Sequence, residues 1–334
     1  MTLAAETVVF DMESTRLPSV FVTVPCYNYG RYLEDCVRSV LQQEGVEATV
    51  LIIDDASSDN TAEIAEQLMR SDPRVLFTRH IKNAGHLATY NEGIQAATGD
   101  YFLLLSADDY LLPGALARAV GLMERHPEVG FTFGQARVEG EAGTGTLSAP
   151  EEGILGASRV LSGREFITLS GPRNIVLTPT VVIRRALQQR VGGYLPTLLH
   201  SGDMEMWLRL AAEGSVGYIA ADQAVYRRHQ NNMSHGYDGM ADLHAREKAF
   251  RAFFAGGALK LDPSRRLERQ CLRWLASEAF RHAGMALNRG DSLSARAFKD
   301  YGLSLSPHAC LTGNWLKLQV KQIAHWLRLP LPSA

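Results

Sequence analysis

Three apolar runs in this chain break off into polar clusters whose residue types can do chemistry. YFLLL (101 to 105) ends in Ser106-Ala107-Asp108-Asp109, TVLII (49 to 53) in Asp54-Asp55-Ala56-Ser57-Ser58-Asp59, and VFVTV (20 to 24) in Pro25-Cys26-Tyr27-Asn28. Asp108 and Asp109 carry the most, because adjacent carboxylates beside an apolar strand repel each other unless a cation or hydrogen-bond donors compensate them. A divalent ion would do so. Hard carboxylate oxygens suit Mg2+ or Mn2+, and such an ion would hold a diphosphate and neutralise the charge that builds on a departing nucleotide. Read locally, the same pair is a solvated turn capping the helix that starts near Pro113. From the residues alone the two readings are level.

Asp54 and Asp55, followed by Ser57, Ser58, Asp59, Asn60 and Thr61, read in part as a turn with a helix N-cap. A carboxylate just past a buried strand can also accept from the N3 imide proton of uracil or thymine. Tyr27 can lie flat on such a base, its plainer role being packing at a strand end. Asp203 precedes an apolar helical stripe of Met204, Met206, Trp207 and Leu210. It suits an N-cap, or a general base that takes the proton from an attacking hydroxyl, and its neighbour Glu205 can fill the base role instead. The run from Tyr226 to His235 is rich in donors. Its Arg and His side chains can fold over a diphosphate, His229 can alternatively complete a metal shell, and the plain reading is a surface loop.

These clusters act together only if the fold brings them to one rim, and the intervening text supplies the means. RVLFT (74 to 78) and VGFTF (129 to 133) are further strand-like runs, and helical patterns fill the gaps at Arg31 to Gln43, Asn60 to Met69, Leu87 to Ala97 and Pro113 to Arg125. Regular alternation predicts an α/β fold, a doubly wound mixed, mostly parallel sheet covered on both faces, with its ligand site beyond the carboxyl ends of the strands. From 139 to 163 the text is rich in Gly, Ala and Ser and is expected to be a mobile loop. Residues 167 to 185 read as β-like, 201 to 214 as a helix closed by Gly214, and everything after about 240 as helical, with a boundary near 235 to 239. The expected domains are an N-terminal segment (1–18), a catalytic domain (19–238) and a C-terminal helical extension (239–334).

Composition narrows the class. A chain of 334 residues that is 46% hydrophobic can bury a full core. Lys and Arg total 34 against 36 Asp and Glu, which leaves no basic field for nucleic acid. Cys26, Cys36, Cys271 and Cys310 have neither zinc spacing nor the density of a disulfide scaffold, and read as reduced thiols of a cytoplasmic protein. No apolar run approaches the ~18 residues of a bilayer span, so export and membrane spanning are not expected. GxGxxG, GxxxxGK[ST] and GxSxG are absent, which counts against dinucleotide-binding folds, P-loop NTPases and elbow-type hydrolases.

VTVPCYNYGRYLEDCVRSVLQQ, VLIIDDASSDNTAEIAEQL, NAGHLATYNEGIQAATGDYFLLLSADDYLLPGAL, GDMEMWLRLAAEG and YRRHQNNMS follow one another over about residues 19 to 235. This series resembles the family 2 glycosyltransferases, whose catalytic domain has the GT-A fold. The resemblance implies metal-dependent, inverting transfer of a sugar from a nucleotide diphosphate sugar, UDP- or dTDP-linked by preference, to an acceptor hydroxyl, with Mn2+ or Mg2+ as cofactor. It implies that Tyr27 and Asp55 contact the nucleobase, that Asp108 and Asp109 serve the ribose and the metal, and that Asp203 is the base. Pro25, Asn28 and Arg228 complete the expected nucleotide-binding set, and His229 the metal set. One catalytic carboxylate then suffices, unlike the paired acids of glycosidases. Many members carry an acid where this chain has Ser106, which leaves open whether Asp108 or Asp109 is the main metal ligand.

The stretch from 273 to 309 is similar to one tetratricopeptide hairpin, which cannot bury both faces alone and must pack on the catalytic domain or on a second subunit, as in a homodimer. From Trp315 to Leu329, Leu316, Val320, Ile323 and Leu327 share one helical face, and Lys317, Lys321 and Arg328 another. That pattern suits peripheral contact with the inner face of a membrane carrying a lipid-linked acceptor, or packing on the hairpin. The expected acceptor is a glycan, a lipid-linked saccharide or a protein, in polysaccharide, glycolipid or glycoprotein assembly. Two other readings stand beside this one: a nucleotidyltransferase, which would need a Gly-rich basic loop where VPCYNYG stands, and a non-catalytic module that binds nucleotide sugar or a protein.

Overall fold

The structure is a computed structural model and describes residues 16–140, 145–147, 156–230, 232, 239–256, 261–262 and 264–327. Strands β1 (Ser19–Cys26), β2 (Glu47–Asp54), β3 (Val75–Arg79) and β4 (Tyr101–Leu104) run parallel in the order β3-β2-β1-β4. The chain winds outward from β1 through β2 to β3, then crosses back to place β4 on the other side of β1. The strand order therefore reverses between β1 and β4, and a crevice opens beyond their carboxyl ends.

Past β4 the sheet becomes mixed. β5 (Tyr110–Leu111), β6 (Val129–Gly140), β9 (Val182–Arg184) and β10 (Ser215–Arg228) continue it in the order β9-β6-β10-β5, with β6 and β10 parallel and β9 antiparallel to both β4 and β6. β7 (Gly145–Leu147) pairs with β6, and β8 (Arg159–Leu161) with β10.

Alternate residues of each central strand feed opposite cores, which is why the strands read as unbroken apolar runs. Val20, Val22, Val24, Val50 and Ile52 pack under α1 (Gly30–Leu41), α2 (Thr61–Ser71) and α4 (Ala115–Arg125). Phe21, Leu51 and Ile53 face the other way, toward α3 (His86–Ala96), α5 (Gly163–Ser170), α6 (Arg185–Val191) and α7 (Gly202–Glu213). α3 lies close enough on β1 that a Cβ at Gly93 would run into the Thr23 side chain.

Four more helices follow: α8 (Gly239–Ala255), α9 (Arg266–Asn288), α10 (Ser292–Leu305) and α11 (Gly313–Trp326). α9 and α10 form the expected hairpin, with Gly302 seated against the Phe280 ring and the Ala276 carbonyl. Phe250, Phe253, Leu275 and Phe280 belong to the same buried cluster as Phe131, Phe133 and Trp207, so this core passes without a break from the sheet into the C-terminal helices. The four cysteines are free thiols.

Several expectations need correction. Of residues 167–185, only 182–184 are strand: 167–170 finish α5, which opens at a capping box formed by Ser162 and Glu165, and 178–180 form a 3-10 turn. The Gly-rich stretch is bordered by order, since β7 and β8 lie within 139–163; residues 141–144 and 148–155 fall outside the described set. Pro113 lies ahead of α4, which starts after a left-handed Gly114. Tyr226, Arg227 and Arg228 are strand rather than loop. α11 packs on α9 through Leu318, Lys321 and Ala324, while Leu316, Val320, Ile323 and Leu327 face outward. The expected N-terminal segment to residue 15, the boundary at 235–238, Arg328 and Leu329 also lie outside the described residues.

Candidate active site

The loops after β1 and β2 are locked to each other. Asn28 sits in the left-handed region at φ 59°, its N–H donating to Ser57 Oγ at 2.8 Å while its Oδ1 accepts from Ser58 N at 2.8 Å. Ala56, at φ 61°, holds a conformation that costs a residue with a Cβ about 1–2 kcal/mol. Asp59 accepts from Gly30 N and from Thr61 N, tying the starts of α1 and α2 together, so the capping share of this cluster falls to Asp59. Buried Asp54 pairs with Arg79 at 3.1 Å. Pro25 is half-buried at the end of β1, and the Tyr27 ring is 49% exposed, open at the mouth of the crevice.

Asp55 is buried and already engaged. It accepts from Ala84 N at 2.7 Å and Gly85 N at 2.9 Å, and meets Nδ1 of His80 at 2.7 Å. The other ring nitrogen of His80 lies 2.7 Å from Glu92. Burial alone would lower the His80 pKa, but the two carboxylates outweigh it and the net shift is upward.

Asp108 and Asp109 stand where β4 meets the crevice, both almost wholly buried. Neither caps α4, whose N-cap is Gly114 with no side-chain bond. Asp108 Oδ2 lies 3.2 Å from Nε2 of His229 and accepts from Nδ2 of Asn232 at 3.3 Å; Asp109 Oδ1 accepts from the backbone N–H of Arg227 at 3.0 Å. Burial raises the pKa of Asp108, with His229 and Arg227 opposing it. Burial and the neighbouring Asp108 charge push Asp109 well up. Two adjacent buried carboxylates of suppressed acidity, with an imidazole nitrogen beside one of them, make a donor set that suits a hard or borderline divalent cation. The residues fit such an ion, although among the described residues no three His, Cys, Asp or Glu side chains converge as a finished site.

His229 stacks on Tyr32, its ring centroid 5.4 Å away, and meets Tyr29 edge-on. Arg227 pairs with Asp35 at 2.9 Å and lies over the rings of Tyr32 and Tyr110. Arg228 is exposed at the tip of β10. Asn231, Met233, Ser234 and His235 fall outside the described residues.

Asp203 is half-buried in the first turn of α7, where burial raises its pKa. Its Oδ1 accepts from Met204 N and its Oδ2 from Nδ2 of Asn174, both at 2.7 Å. The N-cap residue of this helix is Ser201, so Asp203 lies inside the turn. Glu205 is instead buried against Arg209 at 2.6 Å, and Arg209 in turn holds the carbonyls of Val191 and Gly193. That pairing ties one oxygen of Glu205 to Arg209 and to the packing of α6 on α7. Tyr90 stands near both clusters: its pKa is raised by burial first and then by the charges of Asp108 and Asp203, with Ser106 opposing the rise.

Sequence reasoning did not single out His80, Tyr90, Asn174 or Asn232. Asn232 alone had a signal, as part of the donor-rich run. The other three gain meaning only from distant partners.

The family model described as Glycosyl transferase family 2 matches residues 21–186. An uncharacterized protein of Mycobacterium tuberculosis is 33% identical over 223 residues, 64% of this chain and 67% of that one. A putative teichuronic acid biosynthesis glycosyltransferase, TuaG of Bacillus subtilis, is 28% identical over 219 residues, 65% of this chain and 82% of its own. Among solved structures, S. aureus TarS 1-349 in complex with UDP-GlcNAc superposes with TM-score 0.57 at 17% identity, covering 86% of this chain and 90% of that one. The mannosyltransferase PcManGT from Pyrobaculum calidifontis, in complex with GDP-Man and Mn2+, does so with TM-score 0.54 at 19% identity, covering 94% and 87%. At these identities the two structures speak for the fold.

Proposed function

From the premise that this chain belongs to glycosyl transferase family 2 and has the GT-A fold, we propose that it is an inverting, metal-dependent glycosyltransferase. It moves a sugar from a nucleotide diphosphate sugar to an acceptor hydroxyl. The observation that carries this reading is the pairing of Asp108 with His229 beyond the carboxyl ends of the strands, where the charges of Asp108 and Asp203 both reach Tyr90.

In this reading the open Tyr27 ring stacks on the nucleobase between Pro25 and Asn28. Asp55, engaged by His80 and by the Ala84 and Gly85 N–H groups, keeps one lone pair on Oδ2 for an imide N–H, which favours uracil or thymine donors. Asp108, Asp109 and His229 would hold Mn2+ or Mg2+. When bound, the cation neutralises charge on the leaving diphosphate. Exposed Arg228 adds a donor for phosphate oxygen.

Asp203 takes the acceptor proton, and its raised pKa makes it a stronger base than a solvated carboxylate. Asn174 and the Met204 N–H fix its orientation. The acceptor belongs to polysaccharide, glycolipid or glycoprotein assembly, in line with the teichuronic acid biosynthesis named for the Bacillus relative. Residues 19–238 would form the donor-binding unit and 239–334 a helical extension. No helix among the described residues is long and apolar enough to cross a membrane. We place the protein in the cytoplasm, touching the inner membrane face through the outward stripe of α11.

Melting of the purified chain with UDP, dTDP, GDP, ADP and CMP, each with and without Mn2+, tests the reading, because ligands of the folded state raise its melting temperature by mass action. A Mn2+-dependent rise for one diphosphate, abolished by Asp108→Ala with Asp109→Ala, is expected. No rise with any of them would sink it and favour a module that binds protein through its tail.

A further inference from the structure

α8 reaches back to the rim. Its Asp242 and Arg246, one turn apart, form an ion pair in which Arg246 Nε donates to Asp242 Oδ1 at 3.0 Å and Nη2 donates to Oδ2. Each partner also has a second contact. Arg246 Nη1 donates to the carbonyl oxygen of Pro172 at 3.2 Å, and Asp242 Oδ1 lies 3.4 Å from Nε2 of His200.

Both contacts lead to Asp203. Pro172 stands two residues before Asn174, the donor to Asp203 Oδ2. His200 stands three residues before Asp203, next to the N-cap of α7. The stretch that carries Pro172 and Asn174, residues 171–174, has no helix or strand of its own, and its Arg173 lies 3.8 Å from buried Glu278 of α9. The path closes on itself: Asp203, Asn174, Pro172, Arg246, Asp242, His200 and again Asp203.

We infer that the Asp242–Arg246 pair of the C-terminal helices is a positioning device, which seats the Asn174 amide on one side of Asp203 and fixes the start of α7 on the other. This rests on the reading of Asp203 as the base. The planar guanidinium suits the task because it serves both oxygens of Asp242 and still has an N–H for the Pro172 carbonyl, which a lysine ammonium on a flexible stem does not reproduce.

The test uses the full chain without ligand. The side-chain amide of Asn174 is followed by 15N–1H NMR in wild type and in Arg246→Lys. Asn91, whose side chain bonds the Tyr194 backbone through both its atoms, serves as the control. In Arg246→Lys the Asn174 signals should move toward those of solvated amides and exchange faster, while the Asn91 signals stay. Unchanged Asn174 signals overturn the inference. Should Asn91 move as well, Asp242→Asn, which keeps the side-chain shape, decides by the same comparison.

Turnover of the donor chosen by melting then separates the two claims. Arg246→Lys should lower kcat about 10- to 100-fold, as misplacement of a catalytic group does, with the donor KM unchanged. Unchanged kcat, or a loss confined to KM, counts against positioning. If Asp203→Asn keeps wild-type turnover, the base assignment fails while the NMR coupling stands or falls separately.

Discussion

Nε2 of His229 and Oδ2 of Asp108 lie 3.2 Å apart, with Asp108 just ahead of β5 and His229 just past β10, two strands that pair antiparallel at the edge of the sheet. Stacking on Tyr32 holds the imidazole at that distance. If the pair holds a divalent cation, His229→Ala should weaken Mn2+-dependent binding of a nucleoside diphosphate by about 10- to 100-fold. Calorimetric titration with and without EDTA reads this directly. Chelation that weakens the variant as strongly as wild type would remove His229 from the metal shell.

Asp203→Asn should lower kcat by roughly 10²–10⁴-fold, the usual worth of a general base, and leave the affinity for nucleoside diphosphate unchanged. A base works only when deprotonated, and burial raises the Asp203 pKa, so kcat should climb with pH through a limb above the ordinary carboxylate range. Asn174 hydrogen-bonds the anion and opposes that rise. Asn174→Ala should therefore move the limb to higher pH, and a limb that stays put would remove Asn174 from the base's surroundings.

His80 bonds both Asp55 and Glu92 fully only when its ring is protonated, and its folded pKa is raised. Its contribution to stability is complete below the ordinary histidine value of 6.5 and is lost as pH rises through the raised folded value. Wild type should therefore outlast His80→Gln by the widest melting margin in mild acid, and the margin should shrink with rising pH. A margin independent of pH would show that the ring acts by packing alone.

Gly163 begins α5 directly over α7, where an added Cβ would run into the carbonyl oxygen of Ala211. Gly163→Ala should destabilise by about 1–3 kcal/mol, as overpacking against backbone does. For a chain of 334 residues each kcal/mol lowers the melting temperature by roughly 1–2 °C, which calorimetry resolves. An unchanged melting temperature would mean that the two helices part without cost.

The outward stripe of α11 carries Leu316, Val320, Ile323 and Trp326, the last 81% exposed. Wild type should float with anionic phospholipid vesicles, and Val320→Asp with Ile323→Asp should abolish flotation while leaving the melting temperature within a few degrees, since neither side chain is buried. Wild type that stays unbound would end the membrane reading. A dimer dissolved by the same substitutions would assign the stripe to a second copy.

β1 to β4 and β6, with the helices between them, were legible because both faces of the sheet are buried there, which writes each strand as an apolar run between amphipathic segments. β5, β7 and β8 are two or three residues long, too short to carry a period; β9 lies within the stretch read as β-like; and β10, 14 residues long, was missed because Gly217, Asp222 and Gln223 break up its apolar residues. Asp108 and Asp109 announced themselves as like charges at a strand end. Asn174 did not, because its role is defined by a carboxylate 29 positions away. The outward turn of α11 stayed one of two readings for another reason: an apolar stripe normally points inward. Here Lys321 takes the inner position, its stem against Gly284 of α9.

The unbroken core between sheet and C-terminal helices bears on how the chain must mature. Phe131 and Trp207 emerge from the ribosome well before Phe280 and Leu318, which complete the same cluster. At roughly 5–20 residues per second, about 80 residues of further synthesis past position 238 take on the order of 4–16 s. For that interval apolar surface stays open, a window in which chaperone capture competes with aggregation.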